Sequence, residues 1–250
     1  MDSIYDIFII GGGINGAGIA RDFAGRGLKV ALAEKGQIGG ATSSWSTKLI
    51  HGGLRYLENY EFKLVRESLK ERNIINNIAS NITKPLPFII PHTSNLRPIW
   101  LIRLGLFFYD NLGGNGSIPK SSKINIQNHY HHILKEDYKI GFKYYDLQVD
   151  DKKLVELNIK DSINYGAKIF EYTEVVKTKR NKEFWEIYLS NNQIIKSKVI
   201  INAAGPWIKK VLSEILNIKT DNSLRLVKGS HIITKKLYKE EVAFTLQNND

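Results

Sequence analysis

The sequence predicts an α/β fold in which a parallel sheet is covered by helices and a second, mixed sheet is left incomplete. Three observations carry that prediction: an apolar run ending in glycines (Asp6–Ile10), a helix of small residues (Ile14–Arg26), and a second apolar run (Leu28–Glu34). Continuous apolar runs of this length suit strands buried on both faces, and strand, glycine turn, helix and strand make one βαβ unit. With 250 residues, 42% hydrophobic and 24% charged, the chain can build a sizeable core. Disorder, collagen and coiled coil are thereby excluded as whole-chain readings. It has no cysteine, which removes disulfides, thiolate metal sites and cysteine nucleophiles and fits a reducing cytoplasm.

The remaining elements follow in order. Gly36–Gly53 is a long Gly/Ser/Thr-rich connection, and ordered connections of that length are usually functional. Glu61–Ile78 has helical periodicity through Phe62, Val65, Leu69 and Ile75. Prolines break Pro85–Pro98, and Gly113–Lys123 is turn-rich. Ile99–Tyr109 is strongly apolar but too short to span ~30 Å of hydrocarbon at ~1.5 Å per residue, leaving a buried helix or one lying on a membrane surface. Asp150 and Asp151 read as caps of a helix reaching about Tyr165. Strands are expected near Glu174–Thr178, Phe184–Leu189 and Ile194–Ala203, then a helix over Trp207–Leu216 and strands over Leu224–Thr234 and Glu241–Gln247. The sheet they begin has nothing to close it before Asp250, so the second domain is expected to be truncated. The expected division is a discontinuous first domain (1–80 and 150–215) and part of a second (81–149 and 216–250).

Gly11, Gly13 and Gly16 satisfy G-x-G-x-x-G between the first strand and its helix. Gly11 makes the tight turn, Gly13 lets the backbone approach a diphosphate, and Gly16 packs helix on strand, so the first domain is Rossmann-like. The diphosphate would lie on amides at the helix N-terminus, where the dipole favours anions. Glu34, twenty-three positions after Gly11, suits adenosine ribose hydroxyls at the usual spacing of ~20 residues. An acid there argues against a 2′-phosphate, hence against NADP, but does not separate NAD from FAD.

The run Thr42-Ser43-Ser44-Trp45-Ser46-Thr47-Lys48-Leu49-Ile50-His51-Gly52-Gly53-Leu54-Arg55-Tyr56-Leu57-Glu58 resembles the FAD-dependent, quinone-linked (aerobic) glycerol-3-phosphate dehydrogenases, within the glycine/D-amino-acid oxidase type of flavoprotein. The likeness continues through Arg97–Tyr109, Gly141–Asp151, Asn202–Trp207 and Lys228–Ile232. It implies FAD as the cofactor, with Gly11, Gly13, Asn15, Gly16, Glu34 and Lys35 at the ADP end. Thr42, Ser43, Ser46, Lys48, Leu49, Gly52 and Gly53 would run beside the flavin, and the Val175 backbone would meet the adenine. Ala204, Gly205 and Trp207 would close on the diphosphate, although the family pattern has Thr where Ala204 stands. Arg55 and His231 match its substrate pocket as the catalytic pair.

For Arg55 the chemistry fits: a guanidinium can fork onto a phosphate, the alternative being a surface pair with Glu58. His231 is read either as a hydrogen-bonded core residue in a strand or as a group orienting the substrate hydroxyl and accepting its proton. The implied reaction is oxidation of sn-glycerol 3-phosphate to dihydroxyacetone phosphate with electrons passed to a quinone. Because relatives run to roughly twice this length, an inactive FAD-binding remnant is an alternative; a related amino-acid-oxidase-type flavoenzyme is another.

Other constellations point to less. His129, His131 and His132 lack an acidic or thiol partner at ligand spacing and, read as a strand, point to opposite faces, so no metal is expected. Ser43 and Ser44 have no G-x-S-x-G elbow, and His51 reads as a packing or hydrogen-bonding residue. A net charge of +11 favours anionic surfaces and phosphorylated substrates, but the basic residues are scattered, with small clusters at Lys177–Lys182 and Lys235–Lys239. Nucleic acid is not expected as a partner; glycerol 3-phosphate, a quinone, a membrane surface and a second copy of the chain in a homodimer are. The expected location is cytoplasmic, peripheral on the cytoplasmic membrane.

Overall fold

The computed structural model describes residues 4–114, 116–221, 224–227 and 229–247. In chain order its main elements are β1 (Tyr5–Ile10), α1 (Ile14–Gly25), β2 (Val30–Ala33), β3 (Leu49–Ile50), α2 (Phe62–Ile78), β4 (Thr83–His92), α3 (Ile99–Leu112), β5 (Ser122–Asn125) and α4 (Ile126–Tyr130). There follow β6 (Ile140–Val149), α5 (Asp151–Asn164), β7 (Lys168–Phe170), β8 (Val175–Arg180), β9 (Trp185–Leu189), β10 (Ile194–Asn202) and β11 (Ala243–Phe244). They form two compact units, Met1–Thr47 with Asp151–His231, and Lys48–Asp150 with Ile232–Asp250. The boundaries differ from those expected: 48–80 falls in the second unit, because α2 packs Val65 and Leu69 against α3 and the second sheet. Residues 216–231 fall in the first.

The first unit holds a six-stranded sheet in the order β7-β2-β1-β10-β9-β8. The first four strands are parallel; β9 and β8 add antiparallel. Ile7 and Ile9 point to one face, under Ala17, Ala20 and Ala24 of α1 and Val155 and Ile159 of α5. Phe8 and Ile10 point to the other, with Val175, Ile187, Leu189, Val211 and Leu216. Both faces being covered, Ile7–Ile10 of β1 and all of β2 are apolar at every position. Each fully buried Ile, Leu or Phe here contributes roughly 1.5–3 kcal/mol.

The helix expected over Trp207–Leu216 is three short pieces: a 3-10 turn (Gly205–Trp207), one α-turn (Ile208–Lys210) and a π-turn (Val211–Ile215). The π-turn places Val211 and Leu216 in the core while Thr178 Oγ1 donates to the Ile215 carbonyl at 2.7 Å, which satisfies a terminal acceptor.

The second unit is built on β6, paired along its whole length with β4 and along its other edge with β3 and β5. β11 joins β4 in parallel, so the sheet is mixed. α2 and α3 cover one face, burying Val65, Leu69, Ile102, Leu106 and Tyr109 over Phe88, Ile90, Phe142 and Tyr144.

The proline-broken segment proves to contain a ten-residue strand, β4. Thr245 N–H donates to the Ile89 carbonyl, so odd-numbered residues of β4 aim their backbone groups away from β6. Pro85, Pro87 and Pro91 share that parity, and their missing N–H groups cost the β4–β6 ladder nothing.

The strand expected over Leu224–Thr234 is absent among the described residues; no sheet edge pairs with that stretch, and Val227 and Ile233 are 80% and 86% exposed. Only Ala243–Phe244 of the last expected strand forms. The histidine trio is not on a strand: His129 lies in α4, His131 at its C-cap, and His132 Nε2 is 2.8 Å from Glu240 Oε1. Among the described residues no three potential ligands gather.

Candidate functional site

The site in the first unit is built where β1 turns into α1. Gly11 has φ +110°, and a Cβ there would lie 2.6 Å from the Ala203 carbonyl oxygen on the returning strand. At Gly16 a Cβ would lie 1.9 Å from the Gly11 oxygen. These contacts close the turn so tightly that only glycine fits. Gly12, which the motif leaves free, is equally constrained: its Cβ would sit 2.5 Å from Ile38 Cδ1. Gly13 caps α1 in extended backbone, without a side-chain cap or an acidic residue in the first turn. No carboxylate of the helix's own first turn offsets its dipole. Asn15 is exposed on the first turn beside it.

Two segments fold onto this turn. Glu34, just past β2, accepts from Gly12 N–H at 2.7 Å through Oε2 and from Gly36 N–H at 2.9 Å through Oε1. Each carboxylate oxygen keeps a lone pair for a further donor. Gly39 N–H donates to the Gly12 carbonyl, Ser44 Oγ to the Gly39 carbonyl, and Ile14 N–H to Ser43 Oγ at 2.9 Å. Thr42 opens the 3-10 turn that presents Ser43. Ser46 Oγ donates to Asp151 Oδ2 at 2.7 Å, while Asp151 Oδ1 accepts from Lys152 N–H, so the first residue of α5 also anchors the end of the loop.

Further along, Thr173 N–H donates to the Glu34 carbonyl, and Val175, two residues on, begins β8 with its side chain buried. Ala204 N–H donates to Asn202 Oδ1, and Gly205 takes φ +55°. Lys35 Nζ lies 5.0 Å from the centroid of the Trp207 ring, a cation–π contact. Gly11, Gly13, Gly16, Glu34 and Ser43 are thus gathered on one turn. A glycine cradle on an acid-free helix N-terminus, with a carboxylate beside it, fits the diphosphate and ribose of a dinucleotide.

The second unit carries the rest of the loop. Lys48 has φ +56°, its carbonyl accepts from Val149 N–H at 2.9 Å, and Leu49 pairs with Gln148. Gly52 N–H donates to Tyr109 Oη at 2.7 Å, and a Cβ on Gly52 would lie 2.3 Å from Leu69 Cδ2. Gly53 turns left-handed (φ +70°) and starts the 3-10 helix Leu54–Asn59. Arg55 is exposed on that helix. Its expected rival contact does not form, because Glu58 is held by Arg97 in a two-pronged ion pair with Nη2–Oε2 at 2.8 Å.

His231 is exposed and lies outside regular structure, so the core-strand reading of it fails. Lys228 lies outside the described residues.

Tyr109, Asp146 and Arg72 were not among the expected site residues. Asp146 is buried, which pushes its carboxyl above the usual range even with Arg72 and Tyr109 bound to it.

A model of the FAD-dependent oxidoreductase family matches residues 6–249. The chain is 45% identical to a glycerol-3-phosphate dehydrogenase of Pseudomonas aeruginosa over 99% of its own length and 49% of the relative's. It is also 45% identical to a D-erythritol 1-phosphate dehydrogenase of Brucella abortus, over 98% and 50%. The solved glycerol-3-phosphate dehydrogenase of Bacillus halodurans, complexed with FAD, superposes with a TM-score of 0.64 at 25% identity, over 85% of this chain and 36% of that one. The chain spans about half the length of the curated relatives it matches.

Proposed function

The chain belongs to the FAD-dependent oxidoreductase family, and from that premise we propose that it oxidises sn-glycerol 3-phosphate to dihydroxyacetone phosphate and passes the electrons to a quinone. The observation that carries the reading is the Ser46–Glu58 run, which contains Arg55, in a chain that also has the glycine fingerprint and is 45% identical to a glycerol-3-phosphate dehydrogenase. FAD, when bound, supplies the two-electron oxidant.

The chain's own residues bind and orient. The glycine turn at Gly11–Gly16 and the N-terminal end of α1 would hold the diphosphate, and Glu34 would take the ribose hydroxyls. Arg55 forks onto the substrate phosphate, fixing carbon 2 in place. His231 takes the proton of the carbon-2 hydroxyl on an imidazole nitrogen as that carbon loses hydride. Docking on the cytoplasmic face of a membrane is assigned to α3, which exposes Trp100, Leu101, Leu104 and Phe107 with Arg103 among them. Among the described residues no helix is long and apolar enough to cross a membrane.

The Brucella relative favours a second reading, in which the substrate is the longer polyol phosphate D-erythritol 1-phosphate. Both are tested by an anaerobic absorbance spectrum of the FAD-loaded chain before and after each substrate. Bleaching by glycerol 3-phosphate, and not by amino acids, is the expected result. Bleaching by D-erythritol 1-phosphate alone selects the second reading, and retained flavin that neither substrate bleaches rejects both.

A further inference from the structure

A buried polar chain runs through the core of the second unit. Arg72 Nη1, from α2, donates to Asp146 Oδ1 at 2.8 Å and to the Tyr145 carbonyl at 2.9 Å on β6. Asp146 accepts from Tyr109 Oη of α3 at 2.8 and 3.0 Å, and Tyr109 Oη accepts from Gly52 N–H. Arg72, Tyr109 and Asp146 are 7%, 2% and 4% exposed. Apolar residues of similar volume would make at least as stable a core, because the desolvation of a buried ion pair offsets its attraction.

What the chain of bonds adds is direction. The phenol proton is committed to the carboxylate, so the Tyr109 oxygen presents a lone pair to the buried Gly52 amide. Gly52 is also pressed against Leu69 and the Tyr109 ring. The backbone is thus fixed by a bond and a wall at one residue, immediately before the left-handed Gly53 that launches the 3-10 helix carrying Arg55.

We propose that Tyr109, held by Asp146 and Arg72, is a positioning residue that sets the direction of the Gly52–Gly53 corner and hence where Arg55 presents its guanidinium. The proposal rests on the reading of Arg55 as the phosphate-binding group.

The test compares Tyr109→Phe, which keeps the ring, with Arg55→Ala in the 250-residue chain loaded with FAD. Amide hydrogen exchange at Gly52 and the affinity for glycerol 3-phosphate are measured. In Tyr109→Phe, Gly52 exchange should accelerate about tenfold and glycerol 3-phosphate affinity should fall about tenfold in the FAD-saturated chain. Arg55→Ala should lose glycerol 3-phosphate affinity with Gly52 exchange unchanged.

Unaltered Gly52 exchange in Tyr109→Phe overturns the clamp. Faster exchange with full substrate affinity, while Arg55→Ala loses it, overturns the positioning role. Intact affinity in Arg55→Ala instead sinks the Arg55 reading, leaving exchange alone to decide the clamp. Should Tyr109→Phe not fold, Asp146→Asn, which weakens the hold on the phenol, takes its place with the same readouts: unaltered Gly52 exchange overturns the clamp, and faster exchange with lowered glycerol 3-phosphate affinity supports it.

Discussion

A single carboxylate, that of Glu34, organises the turn on which the nucleotide reading depends. It accepts from the amides of Gly12 and Gly36, and in the proposed reading its free lone pairs take the ribose hydroxyls. Glu34→Gln keeps the shape but exchanges acceptor for donor on one side. FAD affinity should fall about tenfold with the fold intact, as equilibrium dialysis would show. Gly16→Ala acts differently, because its methyl would meet the Gly11 oxygen at 1.9 Å. It should destabilise the chain by roughly 1–3 kcal/mol in urea unfolding, flavin or no flavin.

Tyr144 offers a test by pH. Burial pushes its phenol up to about 12 from an ordinary 10.0. The folded state therefore holds this proton more tightly than the unfolded chain, and the associated stability is complete below pH 10 and lost as pH rises toward 12. Tyr144→Phe should flatten that alkaline limb in denaturation monitored by circular dichroism; an unchanged limb would assign it to other groups.

Elements differ in how far the sequence discloses them. β1, α1 and β2 are legible because burial on both faces makes an uninterrupted apolar run and the connecting turn tolerates only glycine. β4 is hidden by its prolines, whose harmlessness depends on a parity that only the neighbouring strand reveals. Pro87→Ala should accordingly be tolerated within about 1 kcal/mol, whereas Leu86→Pro removes a donor aimed at β6 and should cost about 3 kcal/mol or more. Thermal melts of the two variants check the assignment.

The second unit conceals its polar core for a related reason: Asp146 looks like an interruption in an apolar segment, and its partner Arg72 is 74 positions away. The clamp on Gly52 spans 57 positions, beyond any local pattern. α3 is legible as a helix, buried or lying on a membrane surface, and the structure shows a half-buried one: Ile102, Leu106 and Tyr109 face inward, while Trp100 and Phe107 are 66% and 61% exposed. Charge variants Trp100→Glu, Leu101→Glu and Phe107→Glu should reduce flotation with anionic liposomes; undiminished flotation would reject α3 as the docking surface.

At the scale of the whole molecule, the chain crosses between its two units after Thr47, after Asp150 and after His231. On one side of the first two crossings, Ser46 and Asp151 are joined side chain to side chain at 2.7 Å. On the other, the Lys48 carbonyl accepts from Val149 N–H, and Leu49 pairs with Gln148. Each unit thus brings its own two cut ends together. Residues 48–150 run as a cassette closed at its base, to whose sheet the stretch after His231 adds β11. The sheet of the first unit therefore owes none of its strands to the cassette. A first unit in which a short Gly/Ser bridge joins Thr47 to Asp151 should keep its sheet.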